Sequence, residues 1–191
     1  MGQNAPHYQL EKLPPLREKV ETIEILRQTN KSTAALSELK GIAKTIPNQA
    51  MLINAIVLRE AKDSSEIENI TTTQDELYKA LTINKTHISP ETKEVVNYRK
   101  AIFYGYDIAR RQGFLRVNDI VGIQQELVGN TAGIRNTPGT VLKNDTTGEI
   151  IYTPPQDKAE ILDLLTNFIQ HYNQQDDLSP LINLAILHYQ F

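Results

Sequence analysis

The sequence predicts an all-α protein interrupted by one β-hairpin, and three observations carry that reading. Apolar residues recur at intervals of three and four along most of the chain. Matched signals bracket the apolar runs, as where Ser89-Pro90 opens one and Gly113 closes it. Between Ala132 and Pro155 the pattern changes to short β-type runs.

The elements follow in order. Leu13, Leu16, Val20, Ile23 and Leu26 predict an amphipathic helix over about 15–29, and Ala35, Leu39, Ile42 and Ile46 a second one ending at Pro47. Asn48 suits the N-cap of a long helix running to about Asn69. Thr73 and Glu76 have capping-box spacing and start a short helix. Ser89 and Pro90 open the next, which Gly113 stops, and a shorter one ends at Gly129. Ile161, Leu164, Leu165, Phe168 and Ile169 share one face of a further helix. Ser179 as N-cap and Pro180 at the first helical position begin the last. The hairpin occupies about 139–153, with "GTVLK" and "EIIYT" as strands and Gly148 at a left-handed turn position. Two-stranded hairpins are marginal alone and have open edges. This one is either a loop packed on the helices or a docking edge to which a partner's extended segment adds.

Bulk properties narrow the class. The 191 residues suffice for one domain or two small ones. A net charge of −3 without a Lys/Arg block disfavours nucleic acid as a partner. The absence of cysteine excludes disulfides and thiolate zinc sites. No run approaches the roughly 18 apolar residues of a membrane span, and the N-terminus has no signal core. Pro6 occupies the Ser/Thr position of a myristoylation signal. No membrane association and a cytoplasmic location are therefore expected.

Catalytic parts are sparse. There is no phosphate-binding glycine loop and no zinc-protease motif. His7, His87, His171 and His188 include no pair at helical metal-site spacing, so no metal site is expected, and Asp176-Asp177 reads as a solvated loop. The unusual stretch is "SSEIEN", Ser64 to Asn69. Ser64 and Glu68 lie four apart on one helix face. Glu68 falls near a helix C-terminus, where the macrodipole disfavours an anion by a few tenths to about 1 kcal/mol. Asn69 tolerates the left-handed conformation and can close the helix. Glu68 is either a solvated helix end or serves a cation elsewhere, an arginine above all.

This stretch fits Ser/Thr, three residues, Glu, then Gly/Asn, and so resembles the inhibitory helix of Fic proteins. Upstream "LREAKDSSEIENI" is similar to the same region. The insertion "AGIRNTPGTVLKNDTTGEIIYTPP" resembles the Fic flap, with a Gly and an Arg ahead of a hairpin and a Pro pair. The order of inhibitory helix, long helices, flap and helix also matches. The resemblance spans about residue 45 to 191, and "LAILHYQF" looks like the helix leading into the Fic catalytic loop. The signature H-P-F-x-(D/E)-G-N-G-R-x-x-R does not occur in the chain, and His188 is not followed by its remaining residues.

The resemblance implies a Fic-like helical bundle, with an N-terminal helical region over 1–90 that carries the inhibitory helix. Residues 91–191 would then be the first part of the Fic domain, including the flap and lacking the catalytic loop. It implies the N-terminal part of an auto-inhibited protein adenylyltransferase, which moves AMP from ATP to a hydroxyl side chain of a target protein in signalling. Glu68 would be the inhibitory residue, with Ser64 and Asn69 beside it at the ATP site. Thr140, Val141 and Leu142 would hold the target along the flap. ATP with Mg is expected as cofactor only together with the signature, and a homo-oligomer is compatible. These 191 residues alone are expected to be inactive. The alternative is a non-catalytic regulatory module that binds partners through the hairpin edge.

Overall fold

The computed structural model describes residues 10–82, 88–144, 146–174 and 177–191. His7, His87, Asp145 and Asp176 lie outside the described residues. Among the described residues there are eight helices and one two-stranded sheet, so the chain is all-α with a hairpin. The helices are α1 (Arg17–Val20), α2 (Ile23–Ala43), α3 (Gln49–Ile67), α4 (Gln74–Thr82), α5 (Pro90–Gln112), α6 (Val117–Val128), α7 (Lys158–Asn173) and α8 (Pro180–Gln190). Strands β1 (Leu142–Lys143) and β2 (Ile150–Tyr152) lie between α6 and α7. No helix among them is long and apolar enough to cross a membrane.

The first two helices differ from the pattern-based expectation. The break between them falls at Glu21-Thr22, not in the polar stretch around Asn30. Thr22 starts α2, its hydroxyl accepting from the Ile25 N–H at 3.3 Å and its carbonyl from the Leu26 N–H at 2.9 Å. The polar stretch stays helical because Thr29 turns its hydroxyl back to the Ile25 carbonyl and Gln28 reaches Ser32. Polar residues mark a helix break only when nothing local satisfies them.

The chain forms two compact units, with the boundary inside α2. One comprises residues 36–133. Its core is Leu58 and Ala61 of α3, Leu77 of α4 and Val95 of α5, flanked by Val96 and Tyr98. Arg99 ties α5 to α3 by a 2.6 Å hydrogen bond to the Asn54 side-chain oxygen Oδ1, while its guanidinium lies 4.9 Å from the centre of the Phe103 ring. Helices α5 and α6 mesh through two glycines. A Cβ at Gly105 would stand 2.9 Å from Ile123 Cδ1, and one at Gly122 2.7 Å from the Tyr104 hydroxyl oxygen. Ser89 caps α5 as its sequence suggests, accepting from Thr92 N–H at 3.2 Å.

The other unit comprises residues 1–35 and 134–191. Asn167 of α7 pairs with the backbone of Leu13 as a strand would, accepting from its N–H at 2.7 Å and donating to its carbonyl at 2.9 Å. Leu13, Ile169, Leu178 and Ile182 are buried, and Phe168 packs on Phe191 with ring centres 5.5 Å apart. His171, one of the isolated histidines, is buried here, whereas His188 is exposed. Asp157 caps α7 through bonds from Ala159 and Glu160. Ser179 precedes α8 without a side-chain cap; its carbonyl accepts from Asn183, and Pro180 fixes the first turn.

Candidate inhibitory helix end and flap

Helix α3 starts at Asn48, whose side chain accepts from the Met51 N–H at 3.0 Å. Its inward face carries Leu58, Ala61 and Ser65, all buried. Its end is a Schellman motif. Ile70 N–H returns to the Ser65 carbonyl at 3.0 Å, and Asn69 N–H to the Glu66 carbonyl at 3.1 Å. Asn69 supplies the required left-handed turn, with φ +63°, and is the one non-glycine residue at positive φ among those described. A residue that tolerates αL must follow Glu68 here, which gives Asn69 a backbone reason independent of any ligand.

The two carboxylates at this end are not equivalent. Glu66 is paired with Lys62 at 2.5 Å, one turn back. Glu68 is the C-cap, exposed, and its carboxylate makes no hydrogen bond or ion pair among the described residues. Ser64 is half-buried one turn earlier, and its hydroxyl donates to Glu60 Oε1 at 2.9 Å, away from Glu68. The three residues thus meet at one helix end, but no direct bond joins Ser64 to Glu68.

The segment that follows is tied down by hydroxyls. Thr73 and Glu76 form the reciprocal cap of α4: Glu76 N–H donates to the Thr73 hydroxyl at 3.2 Å, and Thr73 N–H to Glu76 Oε2 at 3.3 Å. That Thr73 N–H bond, then the Thr73 and Thr72 hydroxyls, hold the Glu76 carboxyl below the usual carboxylate range. Thr72 and Thr92, both buried, bond hydroxyl to hydroxyl at 2.7 Å. The sequence contained both ends of this arrangement, Ser89 and the Thr73/Glu76 box, but the contact between Thr72 and Thr92 spans twenty residues and has no local signal.

The hairpin belongs to the other unit. Its ladder is shorter than the β-type runs. Leu142 faces Tyr152 and Lys143 faces Ile150, with an irregularity between them. The Asn144 side chain caps the turn by accepting from Thr146 and Thr147 N–H, and Gly148 takes φ +71°. Of the three flap residues singled out, Leu142 is in β1 and exposed, while Thr140 and Val141 precede the ladder. The cause is Gln156, whose amide accepts from Gly139 N–H at 2.7 Å and donates to the Thr140 carbonyl at 2.9 Å. A side chain thus replaces the strand partner there. Arg135 closes the base by donating to the Pro155 carbonyl.

The family model described as Fic/DOC family N-terminal matches residues 26–107. Over that span the chain is similar to the Fic/DOC family N-terminal region. The matched span includes Ser64, Glu68 and Asn69, the Thr72–Thr92 contact and most of α5, while the hairpin lies outside it.

Proposed function

We propose that this chain is the N-terminal part of an auto-inhibited protein adenylyltransferase in which Glu68 is the inhibitory residue. Fic family members generally transfer AMP, and the Fic/DOC N-terminal match supports that class. In this reading residues 1–90 are the N-terminal helical region and residues 91–191 the first part of the Fic domain. One observation carries the role of Glu68. Of two carboxylates at the same helix end, Glu66 is neutralised by Lys62, whereas Glu68 stands exposed and unpaired where the helix dipole disfavours it. An arginine that binds phosphate would relieve that cost as a bidentate partner and be withdrawn from ATP.

ATP with Mg supplies the adenylyl group in this chemistry. The residues present do not fit a triphosphate, since Glu68 is an anion and the Ser64 hydroxyl is engaged by Glu60. No catalytic step is assigned to them; their part is to exclude a productive nucleotide pose. The target would add along the exposed hairpin, where Leu142, Ile150 and Ile151 present apolar side chains. The same exposed strands favour the second reading, a module that binds partners without catalysis.

The test is Glu68→Gly in the full-length protein with its Fic signature. Freeing one arginine and removing like-charge repulsion, together about a few kcal/mol at low effective dielectric, exceeds the roughly 1.4 kcal/mol behind a tenfold gain. The initial rate of AMP transfer is expected to rise at least about tenfold. An unchanged rate in a folded variant makes Glu68 a solvated helix end and leaves the non-catalytic reading.

A further inference from the structure

The hydroxyls behind Glu68 form a chain with a fixed direction. Thr72 donates to Glu76 Oε2 at 3.3 Å, so in its 2.7 Å contact with Thr92 it accepts. Thr92 is therefore the donor to Thr72, and it accepts in turn from the Ser89 hydroxyl at 2.9 Å. Ser89 accepts from the Thr92 N–H at 3.2 Å. Each hydroxyl donates once and accepts once, and the run ends on a carboxylate, the arrangement in which hydrogen bonds reinforce one another. Its centre is dry, with Thr72 at 7% and Thr92 at 2% exposure.

The position of this chain matters more than its strength. The apolar core grips α3 at Leu58 and Ala61. Glu68 lies seven residues beyond Ala61, or about 10 Å at the helical rise. Thr72 lies only four residues beyond Glu68. Among the described residues, Thr72 to Thr92 is the side-chain hydrogen bond nearest Glu68 in sequence that reaches α5. Between the two grips the backbone has little freedom, because the Schellman bonds to Ser65 and Glu66 close the turn around Asn69.

We propose that the Ser89–Thr92–Thr72–Glu76 hydroxyl chain is the anchor that aims Glu68, so that losing one of its buried hydroxyls releases the inhibition Glu68 exerts. The proposal rests on the inhibitory reading of Glu68 and adds how that residue is held. Thr72 and Thr92 act as positioning residues. Their valine variants keep the shape and remove the bond. Thr72→Val leaves the Thr92 hydroxyl a buried donor without its acceptor, so it should act at least as strongly as Thr92→Val.

Two measurements test this. In the 191-residue chain, Thr92→Val should speed hydrogen exchange at the Asn69 and Ile70 amides about five- to tenfold. The capping amides of Gly113 and Gly129 should stay within about twofold of wild type. Thr92→Ser, which keeps the hydroxyl, should restore protection, and Ser89→Ala, at the exposed head of the chain, should give a smaller effect at the same two amides. Unchanged exchange at Asn69 and Ile70, or equal acceleration at Gly113 and Gly129, overturns the anchor. In the full-length protein, Thr92→Val should raise AMP transfer when Glu68 is present and add nothing to Glu68→Gly. A silent Glu68→Gly refutes the inhibitory reading, and the anchor's purpose with it. An active Glu68→Gly beside a silent Thr92→Val, or additive effects of the two, refutes the anchor alone.

Discussion

Asn69→Ala isolates the backbone cost of the helix end that carries Glu68. Asn69 sits at φ +63° and its side chain is exposed, with no hydrogen bond among the described residues. Nothing but conformation is therefore removed. A Cβ-bearing residue other than Asn or Asp meets an αL cost of about 1–2 kcal/mol. The alternative to bearing that strain is unwinding of the last turn. That forfeits the 3.0 Å Ile70–Ser65 and 3.1 Å Asn69–Glu66 bonds, each worth about 0.5–1.5 kcal/mol net. Both routes converge on a loss of about 1 kcal/mol relative to Asn. Asn69→Gly removes the strain but adds unfolded-state freedom of about 0.4–1 kcal/mol, so it should lie within about 0.5 kcal/mol of wild type. Thermal denaturation should rank glycine and asparagine together with alanine below, a gap of about 2–4 °C in Tm for a chain of this size. Alanine as stable as wild type would mean that the left-handed closure does not form, and the geometry assigned to Glu68 would fall with it.

Two other predictions address the remaining features. The Asp119 carboxyl is buried and held below the usual carboxylate range, first by hydrogen bonds from the Arg116 side chain, at 3.0 and 3.1 Å. A lowered folded-state value means stability fully present above the unfolded value of about 4 and lost as pH falls through the folded one. Asp119→Asn should therefore lose about 1 kcal/mol at neutral pH, the Arg116 end being screened by solvent, and show a shallower acid limb; parallel pH curves would refute the pairing. Gln156→Leu should speed exchange of the Gly139 amide while the Gly148 amide, bonded to the Asn144 carbonyl at 2.8 Å, keeps its protection. Loss at both would make the hairpin one cooperative unit instead of a turn on a clamped base.

What the sequence made legible was local. Ser89-Pro90 and Gly113 bound α5, Thr73 and Glu76 start α4, and Asn69 closes α3, because each signal and its partner lie within a few residues. The break at Thr22 is not legible in the pattern because a single threonine hydroxyl outweighs a polar run that the helix absorbs through Thr29 and Gln28. The length of the hairpin ladder is not legible locally because Gln156, more than a dozen residues on, takes the bonds of Gly139 and Thr140. At the candidate site, Ser64, Glu68 and Asn69 could be picked out by spacing. That Lys62 pairs with Glu66 follows from i,i+4 spacing, and Glu68, with Ser65 and Ser64 three and four residues back, is left alone.

The two glycines between α5 and α6 make that helix pair a fixed datum. Ile123 seats over Gly105 and Tyr104 over Gly122, one tooth from each helix entering the other's notch. A side chain larger than glycine at either position would push the two helices apart or displace its partner. Thr92 lies on this meshed pair, and its hydrogen bond to Thr72 ties the segment that follows α3 to it. Glu68 thus sits between two fastenings, the apolar grip on Leu58 and Ala61 and the Thr72–Thr92 bond four residues beyond it.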